Sequence, residues 1–395
     1  MSIADKLRPT GPKRLLALDG GGIRGLITIE ILATLEATLG ARYPREGWAG
    51  DHFRLSDYFD YVAGTSTGAI IATCISLGMS VAEIRHFYRR NGTAMFDRAN
   101  LLRRFQYKFE DDALAAKLQE VFDGYVPAGE RTGTTGRGRH LTLGSAALKT
   151  LLLVVMRNAT TDSPWPISNN PRAKYNDRAL SGCNLDLPLW QLVRASTAAP
   201  TYFPPEELSL DGRRFLFVDG GVTPYNNPAF LLFLMSTVGA YRLDWEAGAD
   251  RMLLVSIGTG VNPNANAGLA SDDMNLLYNA GTIPSALMLG ALNEQDMLCR
   301  VFGRCKHGSP LDSEVESLIL SADEERTARL PKLFTYVRYN AELTREGLAA
   351  LGLGGIEPAH VQQLDSIEHM DDLARVGAAV GAASVKPGHF DGFIA

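Results

Sequence analysis

Residues 57–77 read DYFDYVAGTSTGAIIATCISL. An apolar run closes on Gly64-Thr65-Ser66-Thr67-Gly68, and small and aliphatic residues follow. The pattern predicts a buried strand over 57–64, a sharp turn, and a helix over 67–77. Ser66 stands at the centre of a G-x-S-x-G, where small neighbours let the chain reverse and leave Oγ facing a cleft. Amides that open the helix favour negative charge beside it. A neutral serine is a weak nucleophile, so the chemistry needs a base to take its proton. The same five residues also suit a plain turn whose serine caps the following helix.

A second unit of this kind lies upstream. Residues 14–19, RLLALD, form a short apolar strand, and Gly20-Gly21-Gly22-Ile23-Arg24-Gly25 follows before the helical run GLITIEILATLEATL. Three glycines in a row let main-chain N–H groups approach a bound oxygen with no Cβ in the way. The amides around Gly21 and Gly22 are therefore candidate donors to an oxyanion formed when Ser66 attacks an ester. Arg24 either orients an anionic head group or braces the loop. The stretch is neither G-x-G-x-x-G nor G-x-x-x-x-G-K-[ST], which weakens a nucleotide-loop reading. Two strand–turn–helix units within the first 80 residues predict an α/β fold.

Asp219 follows a third apolar strand, RRFLFV at 213–218, and Gly220-Gly221 permits an abrupt change of direction after it. Brought beside Ser66, its carboxylate can take the hydroxyl proton and later return it, given a restricted solvent environment. Taken alone, Asp219 reads first as a turn residue.

Further along, the pattern predicts helices over 80–122 with breaks near 91–92 and 98–100. It predicts a glycine-rich surface loop at 127–139, strand pieces over 141–157 and a long connection at 163–171. A helix over 189–198, a strand at 252–257, mainly helical chain after 276 and a closing helix over 365–383 complete it. The organisation expected is an N-terminal extension (1–13), a catalytic body (14–340, motifs within 14–260) and a helical C-terminal extension (341–395).

The 395 residues, 46% hydrophobic and 21% charged, are enough for a sizeable core. With 39 basic against 44 acidic side chains the net charge is −5, which argues against general nucleic-acid binding. Four cysteines exclude a disulfide-dense fold, and Cys299 and Cys305 are too far apart for a short CxxC. The first residues lack the apolar core of a secretory signal, and the best apolar run, AFLLFLMSTV at 229–238, is about half a membrane span. The location expected is cytoplasmic, peripheral to the inner membrane.

In this order, residues 19–25, 64–68 and 219–221 resemble the motifs of patatin-like phospholipases. Residues 195–203, ASTAAPTYF, and 256–260, SIGTG, extend the likeness over roughly 14–260. The resemblance implies a patatin-type three-layer α/β/α fold with a central, mainly parallel sheet and helical additions. It implies a Ser66–Asp219 dyad, with Ser66 the covalent nucleophile and Asp219 the general base and subsequent acid. Gly20, Gly21 and Gly22 would form the oxyanion loop with Arg24 adjoining, and residues 195–203 would help build the floor of the site. It calls for no metal and no cofactor, and for no third triad member. His52, His86, His140, His307, His360, His369 and His389 all read as structural or solvent-facing.

The implied activity is hydrolysis of carboxylic esters of glycerophospholipids, with release of fatty acids at a transient membrane surface. A non-phospholipid acyl esterase and a silent lipid-binding module compete with it. So does a His-dependent hydrolase, and so does a cyclic-nucleotide-activated antiphage phospholipase with a small-molecule activator. Leu101, Phe105, Phe109, 229–235 and 287–292 are candidate lining for an acyl entrance, against a plainer reading as core. Arg85, Arg89, Arg90, Arg98, Arg103, Arg104 and Lys108 form either a basic lipid-facing surface or scattered solvated faces.

Overall fold

The strand beginning at Lys13 is flanked on both sides by parallel neighbours, and every residue of it is buried. The computed structural model describes residues 3–42, 52–96, 113–130, 140–200, 202–263, 276–312 and 314–394. Nine strands form one sheet: β1 (Lys13–Leu18), β2 (Tyr61–Thr65), β3 (Leu151–Asn158), β4 (Ser163–Ser168), β5 (Glu206–Leu210), β6 (Arg213–Asp219), β7 (Met252–Ile257), β8 (Gly303–His307) and β9 (Phe334–Tyr339). Their order is β5-β6-β3-β2-β1-β7-β9-β8, with β4 paired to β3. The run from β3 to β8 is parallel, whereas β4, β5 and β6 pair antiparallel.

Among the described residues, the helices of eight residues or more are α1 (Gly25–Arg42), α2 (Thr67–Ser76), α3 (Val81–Phe96), α4 (Ala113–Asp123), α5 (Leu189–Ser196), α6 (Ala229–Thr237), α7 (Leu276–Phe302) and α8 (Met370–Ser384). Successive strand residues point to opposite faces, so a sheet covered on both sides needs apolar residues at every position. Leu16 and Leu18 accordingly join one core, with α1, α2, α3 and α8. Leu15 and Ala17 join the other, with α6 and Trp245. The result is a three-layer α/β/α fold around a mainly parallel sheet.

Several local expectations are corrected. Residues 55–58 form a helical turn, so the strand before Ser66 begins only at Tyr61. The 163–171 connection contains β4, whose Pro164 and Pro166 are tolerated because β4 is an edge strand paired only with β3. Helix α3 runs through Asn91-Gly92 without a break, and Asn91 Nδ2 donates to the Phe87 carbonyl at 2.9 Å. The chain after 276 is mainly helical, as expected, but it also supplies two strands the pattern did not show, β8 and β9. Residues 98–100 and 131–139 lie outside the described residues, as do Leu101, Arg98, Arg103, Arg104, Phe105, Lys108 and Phe109.

The last residues pack against the parallel-sheet layer. On α8, a Cβ at Gly377 would come 2.5 Å from the Ile27 carbonyl oxygen, and one at Gly381 would come 2.4 Å from Thr34 Oγ1. These two glycines let α8 lie close against α1. Arg14 Nε donates to the Phe393 carbonyl at 2.7 Å, tying the chain end to β1. Among the described residues, no helix is long and apolar enough to cross a membrane.

Candidate active site

Three parallel strands, β1, β2 and β7, end on one side of the sheet, and their exits build the site. This is the end at which open α/β sheets present loops to a ligand. Leaving β2, Ser66 takes φ 54° and ψ −124°, a conformation an L-residue holds only when its surroundings enforce it. Gly64 and Gly68 make that possible. A Cβ on Gly64 would sit 2.1 Å from the Gly68 carbonyl oxygen, and one on Gly68 would sit 2.3 Å from that of Leu18. The elbow is thus pressed against the end of β1, and helix α2 begins at the next residue.

Asp219 closes β6, which pairs antiparallel with the far end of β3. Ser66 Oγ donates to Asp219 Oδ2 at 2.6 Å, and the Gly221 N–H donates to Oδ1 at 2.6 Å. Asp219 is buried. Burial pushes its carboxyl up to about 6, against the opposing pull of the Ser66 and Gly221 hydrogen bonds and of the Arg194 charge. A carboxylate of that basicity still ionises at neutral pH and accepts a proton more readily than an ordinary aspartate. No hydrogen bond joins any of the seven histidines to Ser66 or Asp219.

The glycine loop leaves β1 beside them. A Cβ on Gly20 would meet Asn226 Oδ1 at 2.3 Å and Ser66 Cβ at 3.2 Å, which places this backbone against Ser66. Its own N–H donates to the Asn226 carbonyl at 3.1 Å and is thereby occupied. The N–H groups of Gly21 and Gly22 form no hydrogen bond among the described residues, so they are the free donors of the loop. Gly22 has φ +58°, and a Cβ there would strike the Leu364 carbonyl oxygen at 2.3 Å. Arg24 braces the loop, with Nη1 donating to the Gln362 carbonyl at 3.2 Å. Burial lowers its guanidinium to about 10, which leaves it charged at neutral pH.

Residues missed by the sequence reading hold these parts in register. Ser196 accepts the Ser66 N–H at 2.9 Å and donates to the Val155 carbonyl at 2.6 Å. Two residues on, the Ala198 carbonyl accepts the Asp219 N–H at 2.9 Å. One segment therefore holds the backbone of both members of the pair. Arg338 of β9 forks onto Asp19, immediately before the glycines. No motif flags it, because its strand falls in chain that reads as helical.

Of the candidate entrance residues, 229–235 form α6, whose Leu231 and Leu232 belong to the core. Leu287 is 69% exposed, and Met288 Cε lies 3.6 Å from where a Cβ on Gly221 would be, so this part of α7 overlooks the Asp219 turn. Among the basic residues, Arg85 is committed to Glu30 at 2.5 Å and Arg89 to Asp371 at 2.8 Å.

Comparison with known proteins gives one consistent result. The family model for patatin-like phospholipases matches residues 16–233, more than half of the chain. The chain is 30% identical over 269 residues to an intracellular phospholipase A2 of Caenorhabditis elegans, covering 66% of this chain and 21% of that protein. It is 31% identical over 221 residues to a cGAMP-activated phospholipase of Vibrio cholerae, covering 55% of this chain and 56% of that protein. Patatin-17 of Solanum cardiophyllum is 29% identical over 266 residues, covering 62% and 60%. The matched part thus spans from about a fifth to three fifths of these relatives' length. With the matched segment carrying the sheet exits from β1 to β6, the chain belongs to the patatin-like phospholipase family.

Proposed function

We propose that this protein hydrolyses carboxylic ester bonds of glycerophospholipids through Ser66 and Asp219, by way of an acyl-enzyme. The observation that carries the reading is the 2.6 Å hydrogen bond from Ser66 Oγ to Asp219 Oδ2 on a strained strand-to-helix turn. As Ser66 Oγ attacks the acyl carbonyl, its proton passes to Asp219 Oδ2. The carbonyl oxygen gains negative charge beside the N–H groups of Gly21 and Gly22, which need no reorganisation to receive it. Collapse breaks the ester C–O bond, and Asp219 returns the proton to the departing alcohol or lysophospholipid. Asp219 then takes a proton from water, whose oxygen attacks the acyl-enzyme. Breakdown of that second intermediate frees the fatty acid and restores Ser66 with the proton held by Asp219.

The Vibrio cholerae relative is named as cGAMP-activated, which supports a second reading in which hydrolysis requires a cyclic nucleotide. One experiment addresses both. Wild-type protein and Ser66→Ala are incubated with mixed phospholipid vesicles and micelles, with and without a cyclic-nucleotide panel, and products are identified by mass spectrometry. Ser66-dependent release of fatty acid and lysophospholipid is expected, and variants of the seven histidines should keep it. Equal release by folded Ser66→Ala would sink the mechanism. Absence of release in every arm would sink phospholipid as substrate. Release in only the nucleotide arms would establish the second reading.

A further inference from the structure

His360 lies in the short helix Pro358–Gln362, while His369 and Asp372 stand one turn apart at the start of α8. The two imidazole rings stack with centroids 3.7 Å apart and planes 7° apart. Their Nδ1 atoms face the same oxygen, Asp372 Oδ2, at 3.9 and 3.7 Å. Those separations are too long for hydrogen bonds. One potential ligand atom from each residue lies within 4.8 Å of the others. Asp372 is kept from swinging away by Arg375, whose Nη1 meets Oδ1 at 3.0 Å. Ser366 Oγ donates to the His360 carbonyl at 2.6 Å and shapes the turn between the two histidines.

Three potential donor atoms thus gather in one place without bonding one another. An imidazole lone pair lies in its ring plane, so binding requires one of the stacked rings to rotate until both nitrogens aim at a common ion about 2.0–2.2 Å away. Two imidazoles and a carboxylate suit a divalent transition ion and leave a fourth position to water. All three side chains are partly exposed, so an ion has access from solvent.

We propose that His360, His369 and Asp372 bind a divalent transition-metal ion, zinc being the best match, and that the ion fastens residues 360–372 over the glycine loop. The segment between the ligands supplies two contacts to that loop. The Gln362 carbonyl accepts from Arg24 Nη1, and the Leu364 carbonyl accepts the Ile23 N–H at 2.9 Å. An ion joining the two ends of the segment shortens the free loop and stiffens these contacts, acting on the backbone that carries Gly21 and Gly22. The metal site stands independently of the hydrolase reading, whereas any effect on turnover rests on it.

The full chain, stripped with a chelator, is dialysed against zinc at equilibrium, and cobalt(II) serves as a spectroscopic probe. One saturable ion per chain is expected, with visible cobalt bands of a site of low coordination number. Zinc should raise the melting temperature and slow hydrogen exchange at the Ile23 amide. His360→Ala/His369→Ala should weaken binding by about 100-fold or more, with both zinc effects lost. His369→Asn serves as the milder variant should the double substitution unfold. His307→Ala, which alters a separate histidine pair, should bind zinc as the wild type does. Absence of saturable uptake, or uptake unchanged in folded His360→Ala/His369→Ala, would overturn the proposal. Uptake lost equally in His307→Ala would overturn it as well.

Discussion

Arg338 Nη1 lies 2.9 Å from Asp19 Oδ1, with its second nitrogen on Oδ2 and both side chains buried. The same Nη1 donates to Ser256 Oγ at 2.6 Å. This fork joins β9 to the residue that opens the glycine loop, crossing β7, so one side chain ties the loop to the sheet.

Removing one member of such a pair leaves an uncompensated charge in the interior. Arg338→Ala is expected to cost about 3–5 kcal/mol of stability, because the Asp19 carboxylate would be stranded. The double variant Asp19→Asn/Arg338→Met should recover much of that loss, since neither group is then charged. Denaturant unfolding of the three proteins checks this, and equal losses in single and double variants would contradict it.

The buried Asp219 gives a signed pH dependence. With its pKa raised to about 6, hydrolysis should need the ionised form, so kcat/KM should rise with pH through about 6 and level off above it. Stability should move the other way. A carboxyl whose folded pKa exceeds its unfolded value binds more protons when folded between those two values. Stability therefore falls as pH rises through that window, by an amount on the order of 2–3 kcal/mol. Asp219→Asn should be inactive yet more stable than wild type at neutral pH, with the gap closing below about pH 4. Melting curves at pH 4 and pH 7 measure it.

Ser196 supports the elbow and touches no reacting atom. Ser196→Ala leaves the Ser66 N–H without its acceptor at a backbone position already held at positive φ. A loss of about 1–3 kcal/mol in stability is expected. We also expect kcat to fall by roughly tenfold with little change in KM, since misplacement of the nucleophile affects the chemical step. Ser196→Thr, which restores a hydroxyl, should recover part of both. Unchanged kcat in Ser196→Ala would show that the elbow holds itself.

Reading the residues in order succeeds where the requirement is local. The strand-to-helix exits at 19–25 and 64–68 announce themselves because backbone crowding there admits only glycine at certain places. The β5–β6 hairpin carried an equally plain signal that the reading passed over, Asp211-Gly212, where φ is 51° and 74° as a two-residue hairpin turn demands. Strand β4 was hidden by its prolines, which usually speak against a strand and are harmless at an edge. Strands β8 and β9 are short and flanked by helical chain, so periodicity alone did not separate them from it.

The sequence by itself determined the α/β class and the two glycine-bounded turns, and it singled out Ser66 and Asp219 as the candidate pair for acyl-transfer chemistry. Apolar periodicity and steric room around a glycine act over a few residues and can be read from them. Only the tertiary structure decided that Ser66 and Asp219, 153 positions apart, share a proton-transfer distance. It also decided that Ser196 and Ala198 hold both their backbones, that Gly20 spends its amide on Asn226, and that Arg338 and Leu364 grip the glycine loop. Those relationships depend on strand order and register. A strand buried on both faces carries the same apolar pattern wherever it sits in the sheet, so its neighbours are settled only when the whole sheet assembles.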